Sequence, residues 1–294
     1  MILIKILSKF HIFYQRLRKD PETHEVIFKT FYIYNLIYMS LLDNEDILLD
    51  PERDKLIIES WFVDKYKIRG QLKINDDFTV DCSGDVRVKN KNITSLTNGM
   101  FRWGKVDGSF CCNECKNLKS LEGAPEVVGK SFRCSWCKNL KSIKDAPKEV
   151  GGDFYCSFCE NLRSLEGAPK KVGESFYCSY CKNLESLEGA PEMISRDFNC
   201  SECENLRSLE GLPEYIGSSF SCVFCEKLTS LKGAPKKVGG NFDCTNCFGL
   251  TDISGLPKKV RNIILNGCIS LSDQRDKIIE IIKTYDNRIG VVWE

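Results

Sequence analysis

The sequence repeats itself every 22 residues over about half of its length. Seven copies of the pattern F-x-C-x-x-C-x-N-L-x-S-L-x-G-x-P-x-x-V-G follow one another, and no residue is inserted or lost between them. They begin at Phe110, Phe132, Phe154, Phe176, Phe198, Phe220 and Phe242. A constant period of this length is typical of a solenoid, in which each unit packs only against its neighbours.

Within one copy, alternating residues predict a short β-strand with an apolar inward side. In the copy that begins at Phe154, we expect Phe154 and Cys156 to point inward and Tyr155 to point outward. The second cysteine and the next two leucines continue the inward set. Residues 166–173 have no helical periodicity and contain glycine and proline, which favours a tight turn and an extended return. The sequence therefore predicts one parallel strand per repeat and little helix on the convex side.

The ends of the repeat array are irregular. Alternating apolar residues over 72–88 predict strands that lead into the solenoid, and residues 260–268 keep the apolar positions of a last, shorter repeat. Leu96 precedes Phe110 by 14 residues, whereas Leu121 precedes Phe132 by 11, so the first turn carries an insertion. Terminal repeats are expected to be atypical.

The predicted organisation has three parts. Residues 1–70 form a helical region that caps the solenoid, with helix starts at Asp20–Pro21 and Pro51. Residues 71–271 form the solenoid, with the regular repeats at 110–250. A helix and tail at 272–294, with Asp273 as the helix cap, cover the other end. Capping of this kind is required for the solubility of solenoids.

The inward positions resemble the leucine-rich repeat, whose pattern is L-x-x-L-x-L-x-x-N/C-x-L. In the second copy the matching residues are Val128, Phe132, Cys134, Cys137 and Leu140. The resemblance covers about residues 86–271 and is to the cysteine type. The first spacing is one residue longer, and no convex helix is evident. The phrases Ser-Leu-Glu-Gly-Ala-Pro and Val-Gly-Gly are also similar to uncharacterised repeat proteins of phages and large viruses, a likeness that implies no reaction.

The repeated cysteine pairs allow two interpretations. Neighbouring copies present CxxC pairs separated by 18 residues, the spacing of a four-cysteine zinc ribbon. However, the pairs recur in all seven copies, both cysteines occupy inward columns, and the repeats contain no histidine. We therefore expect the cysteines to be core residues, with the second one donating weakly to backbone carbonyls. Zinc binding through the CxxC pairs remains the alternative.

The thiols of the inward columns should be poorly reactive. Stacked strands lie about 4.8 Å apart, which lies within the Cα separation that a disulfide allows, but side-chain direction and a reducing compartment argue against disulfides. Cys111 differs because it precedes the inward Cys112 and should point outward. If any thiol is reactive, we expect it to be Cys111.

Outward positions on the strand side are where the copies differ, and they are unusually aromatic. Such positions carry recognition in solenoids. The predicted partner-binding residues are Trp136, Tyr155, Phe158, Tyr177, Tyr180 and Phe224. A protein or peptide partner is expected, because contiguous apolar surface marks interaction sites. The alternative is that the rings stack on one another or are covered by the N-terminal region.

Other function classes have little support in the sequence. Positive and negative charges nearly cancel and are interspersed, so nucleic acid is not an expected partner. The two histidines, His11 and His24, lie outside the repeats, and no phosphate loop, nucleophile elbow or HExxH motif is present, so we expect no catalysis and no cofactor. The apolar stretch at 26–42 is a weak membrane candidate. We expect a monomer in the cytoplasm, which would be the host cytoplasm if the protein is viral.

Overall fold

The computed structural model describes residues 65–75, 77, 79–97, 102–286 and 288–293, and these residues wind into a parallel β-solenoid. Each turn contains two short strands, one at the phenylalanine of the repeat and one at the valine of the return. The two sets of strands form separate sheets. The predicted solenoid is confirmed, and the return, expected only to be extended, forms a second sheet.

The front sheet contains eleven strands of the described chain. In the order of the sheet, they are β1 (Tyr66–Arg69), β4 (Asp85–Val88), β6 (Phe110–Cys111), β8 (Phe132–Arg133), β10 (Phe154–Tyr155), β12 (Phe176–Tyr177), β14 (Phe198–Asn199), β16 (Phe220–Ser221), β18 (Asn241–Asp243), β19 (Asn262–Ile264) and β20 (Gly290–Val292). Corresponding residues of neighbouring repeats pair, so Phe154 lies between Phe132 and Phe176. The register therefore aligns each sequence position into a column.

The back sheet contains nine strands of the described chain. In chain order, they are β2 (Leu72–Ile74), β3 (Thr79–Cys82), β5 (Arg102–Val106), β7 (Val127–Val128), β9 (Glu149–Val150), β11 (Lys171–Val172), β13 (Met193–Ile194), β15 (Tyr215–Ile216) and β17 (Lys237–Val238). The inward residue of each repeat strand, such as Val172, is buried, while its neighbour, such as Lys171, is exposed in every such strand except β7, where Val127 is half-buried.

The core lies between the two sheets and consists of residue columns. The seven repeat phenylalanines are fully buried and stack with ring centroids 4.9–5.9 Å apart. Full burial of one such ring contributes about 1.5–3 kcal/mol. The faces of each ring are covered by the rings of the neighbouring rungs, so the columns stabilise each rung only when its neighbours are present.

Polar groups join the rungs at the corners. The Ser131 hydroxyl accepts a hydrogen bond from the Asp153 N–H at 3.3 Å, and the Asp153 carboxylate accepts one from the Ser175 N–H at 3.0 Å. Across the front sheet from them, the Asn161 amide donates to the Lys138 carbonyl at 2.7 Å. These contacts explain the serine or aspartate that precedes six of the seven phenylalanines and the recurring asparagine of the repeat.

Six of the seven copies have a glycine with a positive φ in the S-L-x-G-A-P segment, whereas the second copy has Asp145 there without a positive φ. In the first copy the Ala124 N–H donates to the Leu121 carbonyl at 2.8 Å, and Gly123 has a φ of 84°. A positive φ at the third residue is a requirement of a type II turn and favours glycine.

The N-terminal end of the solenoid departs from the parallel pattern. Strand β1 pairs antiparallel with β4, and β2 and β3 form an antiparallel pair, which agrees with the strands predicted over 72–88. Strand β1 occupies the last residues of the region predicted to be helical. The rest of that region, including the apolar stretch at 26–42, lies outside the described residues.

The C-terminal end has the predicted last rung and helix, with two differences. Ile263 pairs with Phe242, as expected for a degenerate repeat, and the helix α1 (Arg275–Tyr285) follows. The prediction that Asp273 caps this helix is wrong, because Asp273 lies within a 3-10 helix (Ile269–Gln274) that precedes α1. Strand β20 then returns to pair with β19 and adds a further strand to the front sheet.

Candidate functional site

The cysteines form two buried columns with different hydrogen bonds. The first column contains Cys112, Cys134, Cys156, Cys178, Cys200, Cys222 and Cys244. The second column contains Cys115, Cys137, Cys159, Cys181, Cys203, Cys225, Cys247 and Cys268. From Cys137 onward, each second-column thiol donates to the carbonyl of the first-column cysteine in the preceding rung, over 3.1–3.3 Å. The predicted weak donation to backbone carbonyls is therefore confirmed.

The environment of most of these thiols disfavours the thiolate form, whereas hydrogen bonds with Cys222 and Cys244 lower the pKa of Cys247 to about 4. Burial raises the pKa of the Cys134, Cys156 and Cys178 thiols well above the ordinary value, and burial raises the pKa of Cys268 to about 12. All seventeen cysteines are free thiols. Across the described residues, no cluster of three or more His, Cys, Asp or Glu side chains is arranged to hold a metal ion.

Cys111 is the single cysteine that is not buried. It lies on the outward side of the front sheet, as predicted, where β6 pairs with β4 and β8. Its neighbours in the register are Arg87 on one side and Arg133 on the other.

The predicted aromatic residues lie in two columns on the outward side of the front sheet. In one column Trp136 stacks on Phe158 at a centroid distance of 3.8 Å, and Phe158 stacks on Tyr180 at 4.4 Å. Trp136 is 44% exposed and Tyr180 is 37% exposed. The mutual stacking that was the alternative to partner binding is thus observed, and it leaves Trp136 and Tyr180 partly exposed at the surface.

The second column lies three residues earlier in each rung. Tyr155 stacks on Tyr177 at 4.8 Å, and the Arg133 guanidinium lies 4.5 Å from the centre of the Tyr155 ring. The Tyr155 hydroxyl donates to the Asp153 carboxylate at 3.0 Å. Burial, together with Asp153, raises the pKa of Tyr155 to about 12. The phenol therefore stays protonated at physiological pH and keeps its hydrogen bond to Asp153.

Phe224, the sixth predicted residue, lies apart from these columns. The rung between Tyr180 and Phe224 carries Glu202 at the same position. Phe224 instead meets Phe248 edge to face at 6.2 Å. We use the name aromatic face for Trp136, Tyr155, Phe158, Tyr177 and Tyr180, and Phe224 is not part of it.

The backbone at the position before the second cysteine is left-handed in every regular rung. Trp136, Phe158 and Tyr180 have φ values of 63°, 60° and 59°. This conformation is a genuine outlier for a bulky residue. The corresponding residues in the last rungs are Asn246 and Gly267, two residue types that tolerate it. These two residues were the sequence signal for the left-handed backbone.

Sequence reasoning also missed the basic end of the front sheet. Lys67, Arg69 and Arg87 point outward from β1 and β4 and line a groove together with Cys111 and Arg133. No repeat motif identifies these residues, because β1 and β4 lie before the regular copies.

No family model, curated protein or solved structure matches the chain. The fold itself defines the class, a parallel β-solenoid of short repeats with cysteine-rich core columns. None of the helices in the described part of the chain has the length and apolar character required to span a bilayer.

Proposed function

We propose that this protein is a non-catalytic interaction scaffold that binds a protein or peptide through its aromatic face. The observation that supports this proposal most is that large rings occupy three adjacent rungs, as Trp136, Phe158 and Tyr180, at a position whose left-handed backbone disfavours bulky residues. A non-glycine residue in a sparsely populated conformation costs about 1–3 kcal/mol. The fold accepts Glu, Asn or Gly at this position in other rungs, so the core does not dictate large rings there. Clustered surface rings that the fold does not require are instead typical of binding sites.

The arrangement of the rings favours peptide side chains over nucleobases. Single-stranded nucleic acids stack their bases on free aromatic faces. Here the faces of Phe158 are covered by Trp136 and Tyr180, so the column presents ring edges and a tyrosine hydroxyl. Such edges suit apolar and carbonyl-bearing groups of a polypeptide.

The proposal also keeps the sequence-based predictions of family, location and oligomeric state. We regard the protein as related to the cysteine-type leucine-rich repeats and to viral repeat proteins, acting as a cytoplasmic monomer without cofactor, nucleic acid or membrane contacts. The relation to leucine-rich repeats is supported by the burial of the matching inward residues of the second copy, Val128, Phe132, Cys134, Cys137 and Leu140. The second sheet, formed where many such repeats have a helix, is the main departure.

A matched pair of variants tests the aromatic face. The variant W136N/F158N/Y180N removes one column but places at each site a residue that accepts the left-handed backbone. The control variant M193K/Y215K removes two exposed apolar side chains of the back sheet, where Lys171 and Lys237 hold the equivalent positions.

The measurement is selection of binders from a displayed peptide library on the wild-type chain, followed by affinity measurement on each variant. We expect the selected peptides to lose at least about tenfold in affinity for the triple variant, which corresponds to about 1.4 kcal/mol, and to bind the control normally. Equal binding to both variants, with circular dichroism showing intact folds, would remove the aromatic face as the binding site.

Removal of metal with a chelator distinguishes the scaffold hypothesis from the zinc-binding hypothesis. Because the second-column thiols already donate to carbonyls, we expect dialysis against a chelator to leave the thermal unfolding midpoint unchanged. A ligand that binds only the folded state raises stability by mass action. Stoichiometric zinc whose removal unfolds the protein would therefore replace the scaffold proposal by the metal-binding one.

A further inference from the structure

A groove of about 340 Å³ lies at the N-terminal end of the outward front sheet. It crosses the four rungs that contain β1, β4, β6 and β8. We use the name basic groove for this space, whose lining includes Lys67, Arg69, Asp85, Arg87, Cys111 and Arg133. Its volume falls within the range of sites that bind small or linear ligands.

The lining is strongly cationic although the whole chain carries a formal net charge of only +1. Four of its side chains, from Lys67, Arg69, Arg87 and Arg133, are positively charged. The one carboxylate, from Asp85, accepts a hydrogen bond from the Ser109 N–H at 2.8 Å. Clustered arginines in a concave surface favour planar anions such as carboxylates, which they bind with paired hydrogen bonds.

The basic groove is continuous with the aromatic face. Arg133 lines the groove and also lies over the ring of Tyr155, 4.5 Å from its centre. Beyond Tyr177 the same outward column continues with Asn199, Ser221 and Asp243. Positive charge therefore occupies one end of the column only, and rings occupy the middle.

We propose that the basic groove binds the acidic stretch of the same polypeptide segment whose apolar side chains lie on the aromatic face. This inference rests on the proposed function. Arg87 and Tyr155 are three rungs apart in the register, which at about 4.8 Å per rung is about 14 Å. An extended chain advances about 3.3 Å per residue, so the acidic residue lies about four residues from the aromatic or apolar one.

The same pattern argues against a nucleic acid in the groove. A single strand needs positive charge along its whole track together with free ring faces. Here the charge stops at Arg133, the faces of Phe158 are occupied, and the far end of the column carries Asp243.

Cys111 supplies a built-in reporter of the groove. In thiol–disulfide exchange the sulfur of Cys111 forms a bond to one sulfur of the reagent, the other sulfur leaves as a thiolate with the electron pair, and the thiol proton passes to solvent. Two disulfide reagents are compared, the anionic dithiobis-nitrobenzoate and the neutral dithiodipyridine. Their rate ratio reports the attraction of the groove for carboxylates, because a change in the reactivity of the thiol itself affects both rates.

The experiment measures this ratio on the full chain, with and without an oligoglutamate peptide. At low salt, we expect the anionic reagent to react with Cys111 at least about tenfold faster than the neutral one. Oligoglutamate, but not oligoglutamine, should slow the reaction of Cys111. The variant R87Q/R133Q should lose both effects, whereas R87K/R133K, which keeps the charge, should retain the rate ratio. The exposed Arg163 and Arg207 lie outside the groove, so R163Q/R207Q is the matched control.

Equal rates for the two reagents, a ratio unchanged in R87Q/R133Q, or protection by inorganic phosphate as strong as by oligoglutamate would overturn the proposal. A result that rejects the aromatic face as a binding site would not by itself reject the basic groove as a site for carboxylates. In the variant W136N/F158N/Y180N the rate ratio at Cys111 should stay at the wild-type value, so the groove and the aromatic face are tested independently.

Discussion

At the residue scale, one position in each regular rung has the same left-handed backbone but a different side chain from rung to rung. The residue before the second cysteine has a left-handed backbone, yet it is Glu114 or Glu202 in some rungs and an aromatic residue in others. Its N–H bonds to the next rung, as from Trp136 to the Ser157 carbonyl at 2.9 Å, which fixes the backbone whatever the side chain. The strain is therefore a property of the rung, and the side chain is free to serve another purpose.

Relieving that strain should stabilise the protein. Asparagine adopts the left-handed conformation more readily than glutamate, so we expect Glu202→Asn to raise the free energy of unfolding by about 1 kcal/mol. The control is Glu226→Asn, at an exposed site without a positive φ. Urea unfolding of both variants checks this, and equal stability changes would show that the position is unstrained.

Tyr155 should titrate far above a free tyrosine. Its pKa rises from 10.0 to about 12 in the folded state. The unfolded chain therefore loses the proton first, so the stability that Tyr155 contributes is present below pH 10 and declines as the pH rises towards 12.

The variant Asp153→Ser removes the carboxylate but keeps the type of residue found at Ser131 and Ser175. We expect it to lower the pKa of Tyr155, measured by ultraviolet difference absorbance or by NMR of labelled tyrosine. Asp197→Ser changes the equivalent site beside Asn199. If it shifts the tyrosine titration equally, the hydrogen bond from Tyr155 to Asp153 is not the cause.

At the element scale, the rung explains both what the sequence could predict and what it could not. The inward set could be predicted because seven aligned copies place Phe, Cys and Leu at constant positions, and all of them are buried. The back sheet could not be predicted, because each return strand is only two residues long, as at Lys171–Val172. Two residues show no periodicity, and they form a sheet only through the hydrogen bonds of neighbouring rungs.

The candidate site was predictable to a similar degree. The outward aromatic residues follow from alternation, and five of the six form the two columns. Phe224 could be separated from them in the sequence, because the 22-residue period places Glu202 in the rung between Tyr180 and Phe224. The basic groove could not be predicted, because Arg69 and Asp85 are brought together by antiparallel pairing outside the repeat.

The contribution of the thiol-to-carbonyl hydrogen bonds between rungs should be measurable by comparing the stability lost when each of two cysteines is replaced. Cys159→Ala and Cys156→Ala each remove one fully buried sulfur. Only the first also removes the donor to the Cys134 carbonyl, which lies 3.3 Å from the Cys159 sulfur. We expect Cys159→Ala to cost about 1 kcal/mol more. Equal losses in denaturant unfolding would show that the column stabilises by packing alone.

At the scale of the whole molecule, the residues that stabilise the solenoid are buried, and the residues proposed to bind a partner lie on its outward side. The buried columns are nearly identical from rung to rung, and the ends are closed by the antiparallel strands β1 and β2 on one side and by α1 with β20 on the other. The outward front column instead changes from basic to aromatic to polar along the axis. A rung can therefore be removed without loss of the fold, provided that the whole period is removed.

Deletion of single rungs tests this account most directly. Removing residues 198–219 takes out one period of 22 residues that contains none of the aromatic face, and removing 154–175 takes out the period with Tyr155 and Phe158. Both chains should stay folded. Affinity for a library-selected peptide should be unchanged or higher in the first, where Phe224 comes next to Tyr180, and weaker by at least about tenfold in the second. Unfolding of the first chain, or equal affinity in both, would contradict the account.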